Sequence, residues 1–357
     1  MKVNQKARIL SYDIIRILAI SMVLMIHVSA QFVMNYPALS IDFAWGNFFD
    51  SISRAAVPLF VMLSGALMLN EDRIISKSKM AAYIKGIATL LVFWSFLYAI
   101  RYSLAEPLMN GSSISWRGIF RSFLLGYGHL WFLYMILGLY LITPILRLFV
   151  RRENNRYVLY FIILSIIFKF SVPSIAFILN CVGLSGSLLK DFVDKFNMDF
   201  VSIYVSYYLT GWYIANCPIK KHHRVFLYML GIISVAITIG CTSVLCTDNP
   251  GGHVLFYDIG NINVYLYGVA LFIAIFYAFY DVQLKSAHLK TAIIKASTMS
   301  FGVYVVHIFV LRHLTSGFFA GAPGFCIPLI WMAVILISYA ITWIASKIPH
   351  VNKLFKC

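Results

Sequence analysis

The chain has 357 residues, 61% hydrophobic and only 12% charged. A soluble domain is about half apolar and a quarter charged, so a soluble globular fold is excluded and a polytopic membrane protein is indicated. The net charge of +16 would suit nucleic acid or an anionic surface, and the position of the charges decides between them.

A bilayer span needs roughly 20 mostly apolar residues. Taken in chain order, such runs lie at 14–34, 48–69, 82–102, 130–149, 157–177, 200–216, 225–246, 264–280, 298–316 and 327–346. The expected fold is therefore an all-α bundle of about ten transmembrane helices, with the sixth short and the least sharply bounded. No repeat and no long polar segment divides it, so residues 1–357 form one domain. The first apolar run is too long for a cleavable signal peptide. The six cysteines have no paired spacing, so no disulfide framework or metal set is expected. Cys357 lacks a prenylation context.

The first span, "YDIIRILAISMVLMIHVSAQF", carries Asp13, Arg16 and His27. Eleven residues make three helical turns, so Arg16 and His27 share a face about 16 Å apart. Asp13 sits one turn below Arg16. The second span contains "SRAAVPLFVMLSG", with Arg54 near the level of His27 if its helix descends. The segment 103–129 includes "NGSSISWRG", a loop signal. The fourth span opens with "GHLWFL", which puts His129 and Trp131 at the outer interface. In the fifth, Lys169 precedes Pro173 and receives no role. Cys217, His222 and His223 in "NCPIKKHHR" look metal-like but read as a solvated basic turn. In the ninth span, "MSFGVYVVHIF" places Ser300, Tyr304 and His307 on one face.

Alternate connecting segments differ sharply in charge. One set, from the N-terminal tail to "KIPHVNKLFK", holds twenty of the 29 Lys and Arg residues. The segments "PALSIDFAWGN", "TDNPGGHVLFYDIGNIN" and "TSGFFAGAPGF" hold none. By the positive-inside rule both termini are cytoplasmic. The positive charge thus reflects topology, and no nucleic-acid partner is expected.

Charged groups inside a span cost a few kcal/mol and face a bundle interior or a watery cavity. His27, Arg54 and His307 are expected to line one internal cavity. An interior set of this kind suits an enzyme, and equally a transporter of glycans or lipid intermediates. A sensor or scaffold without turnover is a third reading.

In order along the chain, four stretches resemble the membrane acyltransferase-3 family. "YDIIRILAISMVLMIHVS" is similar to its opening span, where a basic residue, ten residues and a histidine recur. "SRAAVPLFVMLSGALML" resembles its arginine-bearing second span, "GHLWFLYMILGLYLITPIL" its LWF helix, and "MSFGVYVVHIFVL" a late helix ending in tyrosine and histidine. Some members carry a second arginine three residues after the first, where this chain has Val57.

The resemblance implies a membrane acyltransferase of the bacterial plasma membrane, with acetyl-CoA or another acyl-CoA as donor substrate. It implies a surface polysaccharide or lipid-linked sugar as acceptor, membrane lipids as surroundings, and no bound cofactor or metal. Arg16, Asp13, Lys77 and Lys79, with Lys85, are the expected donor-binding residues. His27, Arg54 and His307 are the expected catalytic ones, and Tyr304, Ser300, His129 and Trp131 the expected acceptor-binding ones. Two roles are open to His27: general base on the acceptor hydroxyl, or transient carrier of the acyl group.

Overall fold

A computed structural model describes residues 8–111, 113–198, 201–248 and 254–355. Lys2, Lys6, Cys357 and part of the 247–263 segment lie outside the described residues. The described chain is helical, without strands. Its helices are α1 (Leu10–Asn35), α2 (Ile41–Ser53), α3 (Ala56–Met68), α4 (Lys77–Ala99), α5 (Glu106–Met109), α6 (Trp116–Leu125), α7 (Trp131–Phe149) and α8 (Asn155–Ser165). They continue with α9 (Val172–Cys181), α10 (Gly186–Asp194), α11 (Ile203–Asn216), α12 (Lys221–Asp248), α13 (Val254–Tyr257), α14 (Ile262–Phe279), α15 (Ala287–Ser316) and α16 (Ile327–Ala345).

Among the described residues, nine helical segments are long and apolar enough to cross a membrane. The sequence suggests about ten, and the difference lies at 200–216. There α11 has 14 residues, about 21 Å of helix, which is short of a span. Yet Ser206, Tyr207, Tyr208, Leu209, Thr210 and Trp212 in it are all buried. A Cβ placed on Gly211 would lie 1.9 Å from the Met62 carbonyl oxygen, and one on Gly65 1.8 Å from that of Tyr208. Reciprocal glycines thus let α11 and α3 touch backbone to backbone, as small residues do between membrane helices.

Other corrections concern boundaries. Ser76 caps α4 by accepting from the Lys79 amide (3.2 Å), so that helix starts at Lys77 rather than 82. Ser115 likewise caps α6, and the expected loop at 103–129 is partly helical. The serine side chain satisfies an amide that the first helical turn leaves unpaired.

The second span is continuous in direction but broken in hydrogen bonding. Pro58 has no amide proton for the carbonyl of Arg54, and its ring crowds that carbonyl. The break separates α2 from α3 at Arg54 and Ala55. The Tyr267 hydroxyl on α14 donates to the Ile52 carbonyl just before it (2.7 Å). Proline similarly follows the π-turn Ile166–Ser171, which holds Lys169.

α1 runs through the middle of the molecule, touching α2, α3, α14, α15 and α16. Peripheral helices turn large apolar groups outward, among them Leu141, Ile232 and Leu336. Outward leucine and isoleucine are stable against hydrocarbon, where a helix satisfies its own backbone.

Candidate functional site

α1 and α15 run parallel in a close register. Arg16 donates from Nη1 to Ser297 Oγ (3.1 Å), and further along the His27 and His307 rings lie 5.1 Å apart. α3 descends beside them, with α4 and α7 completing a cavity of about 1060 Å³. His27, Arg54, His129, Trp131 and Tyr304 line one part of it. Arg16, Arg73, Lys85 and Lys353 line the other, and no Asp or Glu is in the lining.

The first part is a cluster of imidazoles. The sequence suggests that His307 lines the cavity; in the fold it is fully buried and outside the lining, packed beside His27 and 5.3 Å from His129, ring to ring. The sequence suggests His129 at the outer interface; in the fold it is buried, at 4% exposure. Tyr98 packs edge-on against it at 4.8 Å, and the Tyr304 hydroxyl donates to its carbonyl oxygen (2.5 Å). The helix–turn at Gly128–Leu130 tips this residue inward, which span counting does not reveal. His307 Nδ1 lies 2.5 Å from the Tyr304 carbonyl. A carbonyl only accepts, so Nδ1 holds a proton, and in the neutral ring Nε2 keeps its lone pair. Neither nitrogen of His129, nor Nε2 of His307, has a hydrogen-bond partner among the described residues. Buried polar atoms without partners cost about 1–3 kcal/mol each, and here they share a neighbourhood that opens to the cavity at His27.

Arg54 is held from two sides. Its guanidinium forms an ion pair with buried Asp50, one turn earlier, and its Cζ sits 3.9 Å from the centre of the Tyr257 ring. Tyr257 donates to Asn47 Oδ1 (2.6 Å), and the Asn47 amide donates to Ser243 Oγ (2.8 Å). The arginine is thus fixed by a carboxylate, an aromatic face and a polar chain reaching α12. Val57 lines the cavity one turn further on, where some members of the resembled family have arginine.

The cationic part has its own scaffold. Arg73 Nη2 donates to the Tyr83 hydroxyl (2.8 Å). Arg147 donates to the carbonyls of Met68 (2.6 Å) and Arg73 (2.8 Å), and so ties down the turn that carries Arg73. Lys77 and Lys79 are exposed and outside the lining, because they sit in the first turn of α4, before the stretch that borders the cavity; Lys85 lies within that stretch and lines it. Asp13 is buried and bonded to Arg8 (2.6 and 2.7 Å), with Arg16 3.9 Å away, so it braces Arg16 from outside the cavity. Ser300 lines the cavity and donates to the Ser297 carbonyl (2.8 Å). Trp131 is partly exposed at its edge.

Asp50, Arg73, Tyr257 and Lys353 did not stand out in the sequence. Asp50 had a visible signal, since its spacing of four from Arg54 places both on one helix face. Tyr257 and Lys353 are brought in by distant segments and had none.

A family model described as an acyltransferase domain, that of the acyltransferase-3 family, matches residues 9–347. No curated protein and no solved structure matches the chain. The matched region contains every residue of the cavity except Lys353 and Leu354. The chain belongs to the acyltransferase-3 family and is a multi-pass membrane protein with an acyltransferase domain.

Proposed function

We propose that this protein is an O-acyltransferase that takes an acyl group, acetyl first among the candidates, from cytoplasmic acyl-CoA to a hydroxyl of a surface or lipid-linked glycan. One observation carries the reading: a single cavity joins a cationic end to a cluster of imidazoles and an arginine. Phosphates of the donor suit Arg16, Arg73 and Lys85, since guanidinium and ammonium groups bind them through charge-assisted hydrogen bonds. The pantetheine arm then spans the roughly 16 Å of helix between Arg16 and His27. The positive-inside pattern assigns the cationic end to the cytoplasm.

At the far end His27 takes the acceptor's proton as its oxygen attacks the thioester carbon. The carbonyl oxygen gains negative charge opposite Arg54, a fixed cation in a site shielded from bulk water. Collapse of the tetrahedral intermediate breaks the carbon–sulfur bond, and the thiolate recovers the proton from His27 as free CoA. Alternatively a His27 nitrogen attacks the thioester carbon first and expels the CoA thiolate; the acceptor oxygen then attacks the acyl-imidazole, the carbon–nitrogen bond breaks, and the hydroxyl proton goes to the thiolate. His307, with its lone pair on Nε2, and His129 orient the acceptor or pass the proton onward. Trp131 offers an aromatic face for a sugar at the cavity edge. The second and fourth motif stretches look similar to the O-acetyltransferase of enterobacterial common antigen, which favours a glycan as acceptor.

The broken second span is a feature shared with transporters and supports the rival reading of a glycan exporter. One experiment separates them. Surface glycans from cells carrying wild type or His27→Ala are compared by mass spectrometry. The proposal expects unmodified glycan at the surface in the variant, lacking the mass of one acyl group per modified sugar. Loss of the surface glycan altogether would favour the exporter.

A further inference from the structure

The segment that follows α16 forms part of the cavity. After α16 the chain reverses at His350, whose φ of 66° lies in the left-handed region, and continues as a short helical strap, Val351–Phe355. Higher in the bundle α4 and α15 meet directly: the Tyr98 hydroxyl donates to the Val305 carbonyl (2.9 Å) and the Tyr98 and Phe309 rings stack at 4.2 Å. One turn before Tyr98, buried Trp94 instead donates its indole N–H to the Leu354 carbonyl (3.0 Å). Phe355 packs edge-on against Trp94 at 5.4 Å. It also lies against Gly302 of α15, where an added Cβ would come within 3.1 Å of its ring. The strap therefore wedges between α4 and α15 where the two helices part.

In that position Lys353 and Leu354 face the cavity. Leu354 contributes apolar wall, and Lys353 joins Arg16, Arg73 and Lys85 in a lining with no carboxylate. Arg16 has Asp13 beside it at 3.9 Å, but the lining offers no carboxylate to Arg73, Lys85 and Lys353, so cations gathered there favour an anion among them. The hydrogen bond to Trp94 holds the strap by its backbone, which leaves the Lys353 side chain unengaged by the packing that anchors its neighbours.

We infer that the Val351–Phe355 strap completes the binding site for the donor's phosphates, with Lys353 as a ligand-contacting cation and Trp94 as the residue that positions it. This rests on the acyl-CoA reading above. The strap also closes the lateral gap between α4 and α15, so that a polyanionic donor is shielded from lipid along that side.

The test is equilibrium binding of CoA to the purified full chain in detergent, at low and at raised salt. Lys353 is exposed, so Lys353→Ala leaves the packing intact. It should weaken CoA binding about five- to tenfold, with a shallower salt dependence, while Lys353→Arg restores most of it. Trp94→Phe keeps the aromatic packing but removes the N–H, and should weaken CoA binding in the same direction and by less. In turnover assays both variants should raise KM for the donor and leave KM for the acceptor unchanged. Wild type that binds CoA, with variants that bind it equally well, overturns the strap's role and leaves the acyltransferase reading standing. Wild type that shows no CoA binding overturns both.

Discussion

Arg54 sits where a guanidinium is costly, and its surroundings offset that cost with Asp50 and the Tyr257 ring. A planar, forked cation can pair with the carboxylate, stack on the ring and still present N–H donors to the cavity; a lysine ammonium cannot do all three. Arg54→Lys is therefore expected to lower turnover roughly 100-fold, the usual scale for losing an oxyanion donor, with little effect on expression. Near-normal turnover in that variant would remove Arg54 from the chemistry. Asp50→Asn leaves the arginine's charge uncompensated. Removing one partner of a buried pair costs about 3–5 kcal/mol, so this variant should lose both activity and melting temperature. The i,i+4 spacing of the pair was present in the sequence. His129 is the opposite case. Its position at the start of an apolar run is that of an interfacial residue, and only the turn at Gly128–Leu130, with Tyr98 and Tyr304 around it, carries it inward.

Two elements do most to shape the site, the broken second span and the short helix α11. Pro58 is the sequence signal for the break, since its missing donor falls opposite Arg54, yet apolar length alone reads 48–69 as one unbroken span. The short helix was read as a weak span, since apolar length alone cannot tell a helix that meets lipid from one enclosed by other helices. What encloses α11 is its glycine contact with α3. Gly211→Val would drive a branched side chain into the Met62 backbone. Overpacking of this kind costs about 1–3 kcal/mol, and more where backbone must move. The expected result is a lowered melting temperature in detergent with reduced activity per folded molecule, because α3 also lines the cavity. A melting temperature equal to wild type would mean that the two helices part more easily than their contact implies.

At the scale of the whole molecule, the acyl-transfer reading depends on which side of the bilayer the cationic end faces. In a cysteine-depleted background, a cysteine at Asp248 should react with an impermeant thiol reagent added to intact cells, and one at Lys77 only after the membrane is opened. The reverse pattern would invert the topology and remove the donor's route. The sequence by itself determined the all-α membrane class, nearly all the spans, and the candidacy of His27, Arg54, Tyr304 and His307. Those properties rest on apolar length and on the expense of polar groups inside a bilayer, and both are local. Only the tertiary structure decided that, of the α4 lysines the sequence offers, Lys85 lines the cationic end and Lys77 and Lys79 do not, that Arg73 and Lys353 join it, and that His129 joins the other imidazoles. Which face of a helix turns inward, and which distant segment closes a gap, depend on packing between residues far apart in the chain, and no local pattern records them.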